Sequence, residues 1–440
     1  MADAQTSERV STGLSGVVER ARRDTNCQFY SLAHLIDEQA LARAYRRLRK
    51  DAAEGVDGVT KEAYGRNLEE NLKSLHERLK SMKYRHQPIL RVHIPKENGK
   101  TRPLGISTVE DKVVQGALKE VLEAVFEPLF VDTSYGFRPE RSAHDAIRQL
   151  NGVAYRGEVN WILEADVVSF FDSVIRKMLM EMLQKRVLDG SLLRLIGKCL
   201  HVGVLDGEEF SEPGEGTTQG SIISPLLGNV YLHYALDQWF EQDVRPRLTG
   251  KATLIRYADD FLIAFEHQDD AEKVYAVLGQ RLAKFGLTLH PDKTRLLPFR
   301  RPPASQLRGK GPSTFDFLGF TCFWKRTRSG CWEVAFRTRH ARLRRAIRLI
   351  YDFCRRNRHE PVKEQHASLK SRLQGHINYF GVNGNAANLV ELVKHSTHAW
   401  LKWLRRRSNK ARRLTWERFK DLLRDFPLPE PKVCVQIWGT

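Results

Sequence analysis

The stretch Leu254 to Phe265, LIRYADDFLIAF, limits what this chain can become more than any other. Two short apolar runs with strand propensity flank a pair of adjacent carboxylates, Asp259 and Asp260. The segment therefore reads as strand, tight turn, strand, with the acids at the turn. Carboxylates set side by side repel one another. The repulsion is tolerable when a cation is shared, and hard oxygen donors of this kind suit Mg²⁺, which takes one or two protein carboxylates together with substrate phosphates. Taken alone, the pair fits a solvated hairpin turn equally well. A third acid, Asp166 in WILEADVVSFFDSV, stands again at the end of an apolar strand-like run and tips the balance toward a shared cation.

The rest of the chain suits a polyanionic partner. Its 440 residues suffice for two or three packed units, because single cores rarely grow past about 250 to 300 residues. A hydrophobic fraction of 41% permits a real core, and the formal charge of +19 argues for nucleic acid before anything else. A membrane is the other common partner of basic proteins, but no run approaches the roughly 18 apolar residues of a span, and MADAQTSERV lacks the apolar centre of a secretion signal. Cys27, Cys199, Cys322, Cys331, Cys354 and Cys434 form no CxxC pair. This spacing fits neither a zinc knuckle nor a disulfide scaffold and agrees with a reducing, cytoplasmic setting.

Residues 1 to 26 are polar and without period, and read as a flexible arm. From Phe29 to Leu48 the apolar positions follow a helical period, and EGVDGVT then breaks the pattern before a second amphipathic helix carrying Leu68, Leu72, Leu75 and Leu79. ILRVHIPK alternates like a half-exposed strand leading into the turn ENGK. Lys96 and Arg102 flank that turn, either as solvated strand-end charges or as cations able to close on a triphosphate. SYGFRPERSAHDAI brings Arg138 and Arg141 on a Gly/Pro-rich turn, where an arginine paired in the core is a close alternative to one facing a ligand. Asp172 and Ser173 read as an N-cap for a helix through Leu183. GTTQGS precedes a long apolar helix from Ile222 and presents backbone N–H groups at a helix start.

Lys293 in HPDKT is a candidate partner for a phosphate or an acid, or an ordinary surface lysine. FDFLGF holds a glycine within a strand pattern, which lets another backbone come close. In RHARLRRAIRLIYDFCRRNR an apolar stripe (Leu343, Ala346, Ile347, Ile350, Cys354) is surrounded by arginines, Arg344, Arg345 and Arg348 among them, a one-sided face suited to phosphates. A last strong helix runs from Asn385 to about Arg407.

Tyr257-Ala258-Asp259-Asp260 together with Asp166-Val167-Val168-Ser169-Phe170-Phe171 resembles the palm of reverse transcriptases. IPKENGKTRPLGIST, SYGFRPERSAHDAI, GTTQGSIISPLLGNVYLH, LTLHPDKT, FDFLGF and YFGVNGN follow in the order of the group II intron-encoded reverse transcriptase/maturase family. The resemblance implies an α+β right-hand polymerase, with a sheet-and-helix fingers and palm region and a helical thumb. The expected division is an arm at 1–26, an N-terminal extension and fingers at 27–160, a palm at 161–334, a thumb or maturase region at 335–413, and a short extension at 414–440 without an endonuclease domain.

It also implies roles for particular residues. Asp166, Asp259, Asp260 and the Val167 carbonyl would hold two Mg²⁺ ions, with Mn²⁺ a possible substitute. Lys96, Arg102, Gln219 and Lys293 would meet the incoming dNTP, and Phe171 would block a ribose 2′-hydroxyl. Arg138, Arg141, Leu318, Gly319, Phe320, Arg344, Arg345 and Arg348 would line the RNA template and the DNA or RNA primer. The chain departs from the family at Ser169, where a lysine is frequent, and at Thr218, where a proline is usual. The implied activity is RNA-directed DNA synthesis, with binding of the chain's own intron RNA to assist splicing. Service in phage defence or a CRISPR-linked locus, or a splicing cofactor with a relic site, are the other readings. The presence of all three acids counts against a relic.

Overall fold

The computed structural model describes residues 12–95, 101–211, 214–217, 219–303, 305, 313–327 and 329–438. Helix α1 (Thr12–Arg23) leads to α2 (Glu38–Arg47), α3 (Lys61–Gly65) and α4 (Leu68–Lys80), then to a hairpin of β1 (Ile89–Pro95) and β2 (Thr101–Ile106). Helices α5 (Val109–Phe126) and α6 (Ala143–Tyr155) precede β3 (Trp161–Asp166), followed by α7 (Phe170–Ser173), α8 (Arg176–Gln184), α9 (Gly190–Leu200), β4 (Val204–Asp206), β5 (Glu209–Ser211) and α10 (Ser224–Leu232). Next come β6 (Ala252–Tyr257), β7 (Asp260–Phe265), α11 (Gln268–Ala283), β8 (Arg295–Pro298), β9 (Phe315–Phe317), β10 (Phe320–Arg326) and β11 (Trp332–Thr338). The chain closes with α12 (His340–Arg356), α13 (Val362–Phe380), α14 (Ala386–Arg405) and α15 (Trp416–Asp425).

Among the described residues the strands form three sheets, ordered β2-β1-β4-β5, β6-β7-β3-β8 and β11-β10-β9. The middle one explains why LIRYADDFLIAF is apolar at almost every position. Leu163, Leu254, Phe261 and Ile263 pack into one core with the N-terminal helices, whereas Ile162, Ile255, Leu262 and Ala264 pack into a second core with α6 and β9 to β11. A sheet buried on both faces needs apolar side chains at odd and even positions alike. A third core joins α12 to α15 around Trp400, Leu369, Leu373 and Phe419. Among the described residues no helix is long and apolar enough to cross a membrane.

The structure corrects several expectations. Within the expected flexible arm, α1 buries Leu14 and Ala21 in the first core. The helix expected from Phe29 begins only at Glu38, because the Asp37 side chain accepts the Ala40 N–H (2.7 Å) and caps it there. Asp172 is not the cap of that helix: Val174 and Ile175 are extended between α7 and α8, and Ile175 stands at the N-cap position of α8 without a side-chain cap. Within the expected C-terminal extension, Phe419 is in the third core and the Cys434 and Val435 N–H groups both donate to the Gly381 carbonyl.

Candidate active site

The hairpin of β6 and β7 turns through Ala258 and Asp259, with Tyr257 opposite Asp260. Ala258 takes φ 57°, the positive value that a two-residue mirror-image hairpin turn needs at its first position. Gly136 explains how the turn is held. A Cβ at that position would stand 2.3 Å from the Ala258 nitrogen, so only glycine lets the two backbones meet. Beneath the turn the wholly buried Arg256 donates to the Ala258 carbonyl (3.0 Å) and the Asn229 side chain (2.9 Å), and grips Asp237 with two bonds of 2.8 and 2.6 Å. Asn229 in turn donates to the Gly136 carbonyl (2.7 Å). Asp237 comes from a stretch of wide helical turns continuing α10, a local geometry frequent at functional sites.

Asp166, the last residue of β3, lies directly opposite Asp260 in the antiparallel pairing. Opposed residues share a face. By the alternation along both strands that face is the one carrying Ile162 and Leu262, toward β9 to β11. Asp259 adjoins the pair in the turn. Burial, and then the neighbouring Asp259, Asp166 and Glu164, push the Asp260 carboxyl up to about 7, with the Leu318 backbone opposing. Asp259 is also raised, first by burial and further by Asp166, with Arg102 and Arg256 opposing. Val167 is bridged to Leu289 through the groups of its neighbours, Val168 N–H to Thr288 and His290 N–H to Asp166. Its own carbonyl therefore points the other way, to the side of β7.

This donor set, hard oxygens crowded enough to raise their own proton affinity, fits a divalent cation. Among the described residues no three acidic, histidine or cysteine side chains are already drawn around one point. Asp166 instead turns Oδ2 to the Lys293 ammonium at 2.8 Å, so Lys293 stands as the partner of an acid.

The crowding has a measurable cost. A carboxyl whose affinity for a proton rises on folding contributes nothing adverse below the unfolded value near pH 4, and costs stability as pH climbs through about 7. Asp260→Asn should therefore raise the melting temperature of the metal-free protein at pH 8 and leave it nearly unchanged at pH 4.5. Equal melting temperatures at pH 8 would contradict this.

A cleft of about 380 Å³ is lined by Arg91, Gly105, Asp172, Arg176, Thr217 and Gln219, among others. One wall is the loop that carries Glu215, Gly216, Thr217 and Gln219. The Thr217 N–H donates to the Phe171 carbonyl (2.7 Å), and the Gly105 N–H donates to the Gln219 carbonyl (2.7 Å). The loop thus ties the α7 turn to β2, which bears Arg102, and brings Phe171, Gln219 and Arg102 to one region. Gly220, at φ 107°, lies so near the Gly105 carbonyl that a Cβ would approach to 2.4 Å. Phe170 is core at 2% exposure, whereas Phe171 is half-buried, edge-on to it at 5.2 Å. Arg176 was missed by sequence reasoning; it is buried and donates to the Gly216 carbonyl (2.9 Å), holding the loop from behind. Lys96 lies outside the described residues.

Two expected contacts are corrected. Arg138 is not available to a template: its guanidinium donates to the Val131 and Ser134 carbonyls (both 2.6 Å) and pairs with Glu127 at 2.9 Å. Phe320 is wholly buried and stacked on Tyr379, so it packs the second core. Leu318 and Gly319 do form a turn between β9 and β10, with φ 51° and 81°. Arg141 keeps a third of its side chain in solvent and pairs with Asp132. Arg344, Arg345 and Arg348 lie on the outward side of α12, opposite its buried Leu343, Ile350 and Cys354.

Three acids at the meeting of two strands, together with a glycine-bracketed loop tied to a cationic hairpin, define a template-directed nucleotide polymerase of the right-hand class. Residues 94–322 match the family described as "Reverse transcriptase (RNA-dependent DNA polymerase)". The chain belongs to that family. It is 35% identical over 315 residues to "Protein YkfC" of Escherichia coli, covering 64% of this chain and 78% of that protein. It is 36% identical over 191 residues to "Group II intron-encoded protein LtrA" of Lactococcus lactis, covering 43% of this chain and 32% of the relative. Against the "Uncharacterized 91 kDa protein in cob intron" of Schizosaccharomyces pombe it is 35% identical over 314 residues, covering 60% of this chain and 38% of the relative. The matches thus span most of the first relative and well under half of the other two.

Proposed function

We propose that this reverse transcriptase serves a group II intron, copying RNA into DNA from a primer 3′-hydroxyl and binding the intron RNA that encodes it to assist splicing and mobility. The observation that carries the polymerase reading is the pairing of Asp166 with Asp260 on one face of the sheet, with Asp259 in the adjoining turn. The intron role rests on the group II intron-encoded relative and on the arginine face of α12. Cytoplasmic residence belongs to the same reading.

Asp166, Asp259, Asp260 and the Val167 carbonyl would hold two Mg²⁺ ions, or Mn²⁺ in their place. Such a pair supplies charge neutralisation for the attacking and leaving oxygens of an in-line displacement. The chain's own residues do the rest, since phosphoryl transfer asks mainly for positioning and compensating charge. Lys293 steadies Asp166 through its ion pair. Arg102 brings positive charge from β2 toward the triphosphate, joined in this proposal by Lys96, while Gln219 lines the sugar-and-base side. The turn at Leu318 and Gly319 faces the primer end, and Arg141, Arg344, Arg345 and Arg348 take template and primer phosphates. The proposed division is fingers to residue 160, palm from 161 to 334, and thumb beyond.

The test is primer extension on an RNA template with dNTPs and Mg²⁺, beside competition of the intron RNA, taken from the DNA flanking the gene, against an unrelated structured RNA. Failure to extend overturns the polymerase reading, and equal affinity for both RNAs overturns the intron role. Phe171→Ala should lower discrimination against ribonucleotides on the order of 10²-fold, the scale on which a well-shaped site rejects one extra hydroxyl. Unchanged discrimination would remove Phe171 from the sugar pocket.

A further inference from the structure

Asn229 lies within α10, 1% exposed, and its side chain reaches two partners outside that helix. The two ends of its amide meet groups of opposite kind. Nδ2 donates to the Gly136 carbonyl (2.7 Å), and Oδ1 accepts from Nη1 of Arg256 (2.9 Å). A carbonyl can only accept and a guanidinium can only donate, so neither aspartate nor leucine, side chains of similar size, could serve both.

Both partners bear on the residue that precedes Asp259. The Arg256 nitrogen that meets Asn229 also donates to the Ala258 carbonyl (3.0 Å). Residues 133 to 136 run alongside β6, where the Arg256 N–H donates to the Thr133 carbonyl (2.9 Å) and the Tyr135 N–H donates to the Arg256 carbonyl (2.8 Å). One residue further on, Gly136 packs against the Ala258 backbone, and Asn229 fastens the Gly136 carbonyl. Ala258 itself stands at φ 57°, a conformation that a residue other than glycine keeps only where its surroundings impose it.

We propose that Asn229 is a positioning residue for nucleotide addition: gripping the Gly136 carbonyl at one end and the Arg256 guanidinium at the other, it fixes the Ala258 peptide on which Asp259 is mounted. The inference rests on the polymerase reading and deepens it. The chain enters α10 from the loop that holds Gln219, so the helix that follows the nucleotide-side loop also sets the place of a catalytic acid.

The test is Asn229→Ala, studied by single-turnover addition of one dNTP to a DNA primer on an RNA template. The expected result is a fall of about tenfold in the rate constant, short of the roughly 10²-fold that a full ångström of misplacement costs. Amplitude per folded enzyme, the half-saturating dNTP concentration and affinity for primer–template should stay close to wild type. A merely structural role would lower the amplitude and leave the rate constant of the folded fraction unchanged. Gly136→Ala reaches the same peptide from the other side and leaves the Asn229 side chain intact: its methyl would stand 2.3 Å from the Ala258 nitrogen, and the rate constant should again fall about tenfold or more. Should Asn229→Ala yield no folded protein, Gly136→Ala decides alone. A wild-type rate constant in either folded variant overturns the proposal, as does a loss confined to amplitude or to primer–template affinity. Failure of the polymerase reading is distinguishable, since the wild type would then add no nucleotide.

Discussion

Asp259→Asn should lower RNA-templated DNA synthesis on the order of 10³-fold or more, about 4 kcal/mol of transition-state stabilisation, while affinity for RNA stays within about twofold. The substitution keeps size and hydrogen-bonding capacity and removes one charge from a site whose chemistry depends on charge. Asp259 stands in the hairpin turn next to the Asp166–Asp260 pair, close enough to Asp166 for the two charges to raise its proton affinity. The arginines of α12, proposed to grip RNA, lie on a different element. Single-turnover extension and a filter-binding isotherm on the same preparation separate the two effects. Parallel loss of synthesis and affinity would show that Asp259 supports the fold or the RNA surface rather than the reaction.

Arg256→Ala has the largest expected effect on stability. Arg256 and Asp237 are both wholly buried and joined by two bonds, with Asn229 and the Ala258 carbonyl completing the guanidinium's partners. Removing the arginine strands a carboxylate in the core, a change that costs about 3 to 5 kcal/mol. His233, with Nδ1 4.0 Å from Asp237, is no substitute, because burial pushes its ring down to about 4 and leaves it neutral. Arg256→Lys should recover only part of the loss, since an ammonium cannot reproduce the planar fork together with the contacts to Asn229 and the Ala258 carbonyl. Urea unfolding measures the difference. A loss below about 1 kcal/mol would mean that the pair contributes little beyond what water returns to the exposed groups.

How much of this was legible in the sequence differs from residue to residue. The acid hairpin was, because apolar runs on both sides of Asp259-Asp260 leave few alternatives to a buried sheet, and Asp166 repeats the pattern. Phe171 was singled out through the resemblance, and of the two adjacent rings it is the half-buried one. The support beneath the turn was not. Arg256 and Asp237 are 19 positions apart with no local period linking them, and an arginine within a strand pattern ordinarily reads as solvent-facing. Gly136 gave no sign that it meets Ala258, since close backbone approach leaves no trace beyond the glycine itself.

Other misreadings had signals that were underweighted. In TGLSGVVERARR, Leu14, Val17, Val18 and Ala21 recur at threes and fours, enough for the amphipathic helix α1 despite its polar composition. Tyr379 lay inside YFGVNGN, a block taken for its resemblance, yet its bond to Leu318 spans 61 positions and arises only from tertiary packing. For Arg138 the core alternative was stated and is what the carbonyl contacts support.

The central claim is that acids from two separate strands serve one reaction centre. Its most direct test is a crystal structure of the protein with an RNA template, a 3′-deoxy-terminated primer, a dNTP and Mg²⁺. The account predicts that Asp166 and Asp259 each contribute a carboxylate oxygen to the same ion at roughly 2.0 to 2.1 Å, with the triphosphate on its open side. An ion held by only one of these acids, or a triphosphate seated away from both, would contradict it.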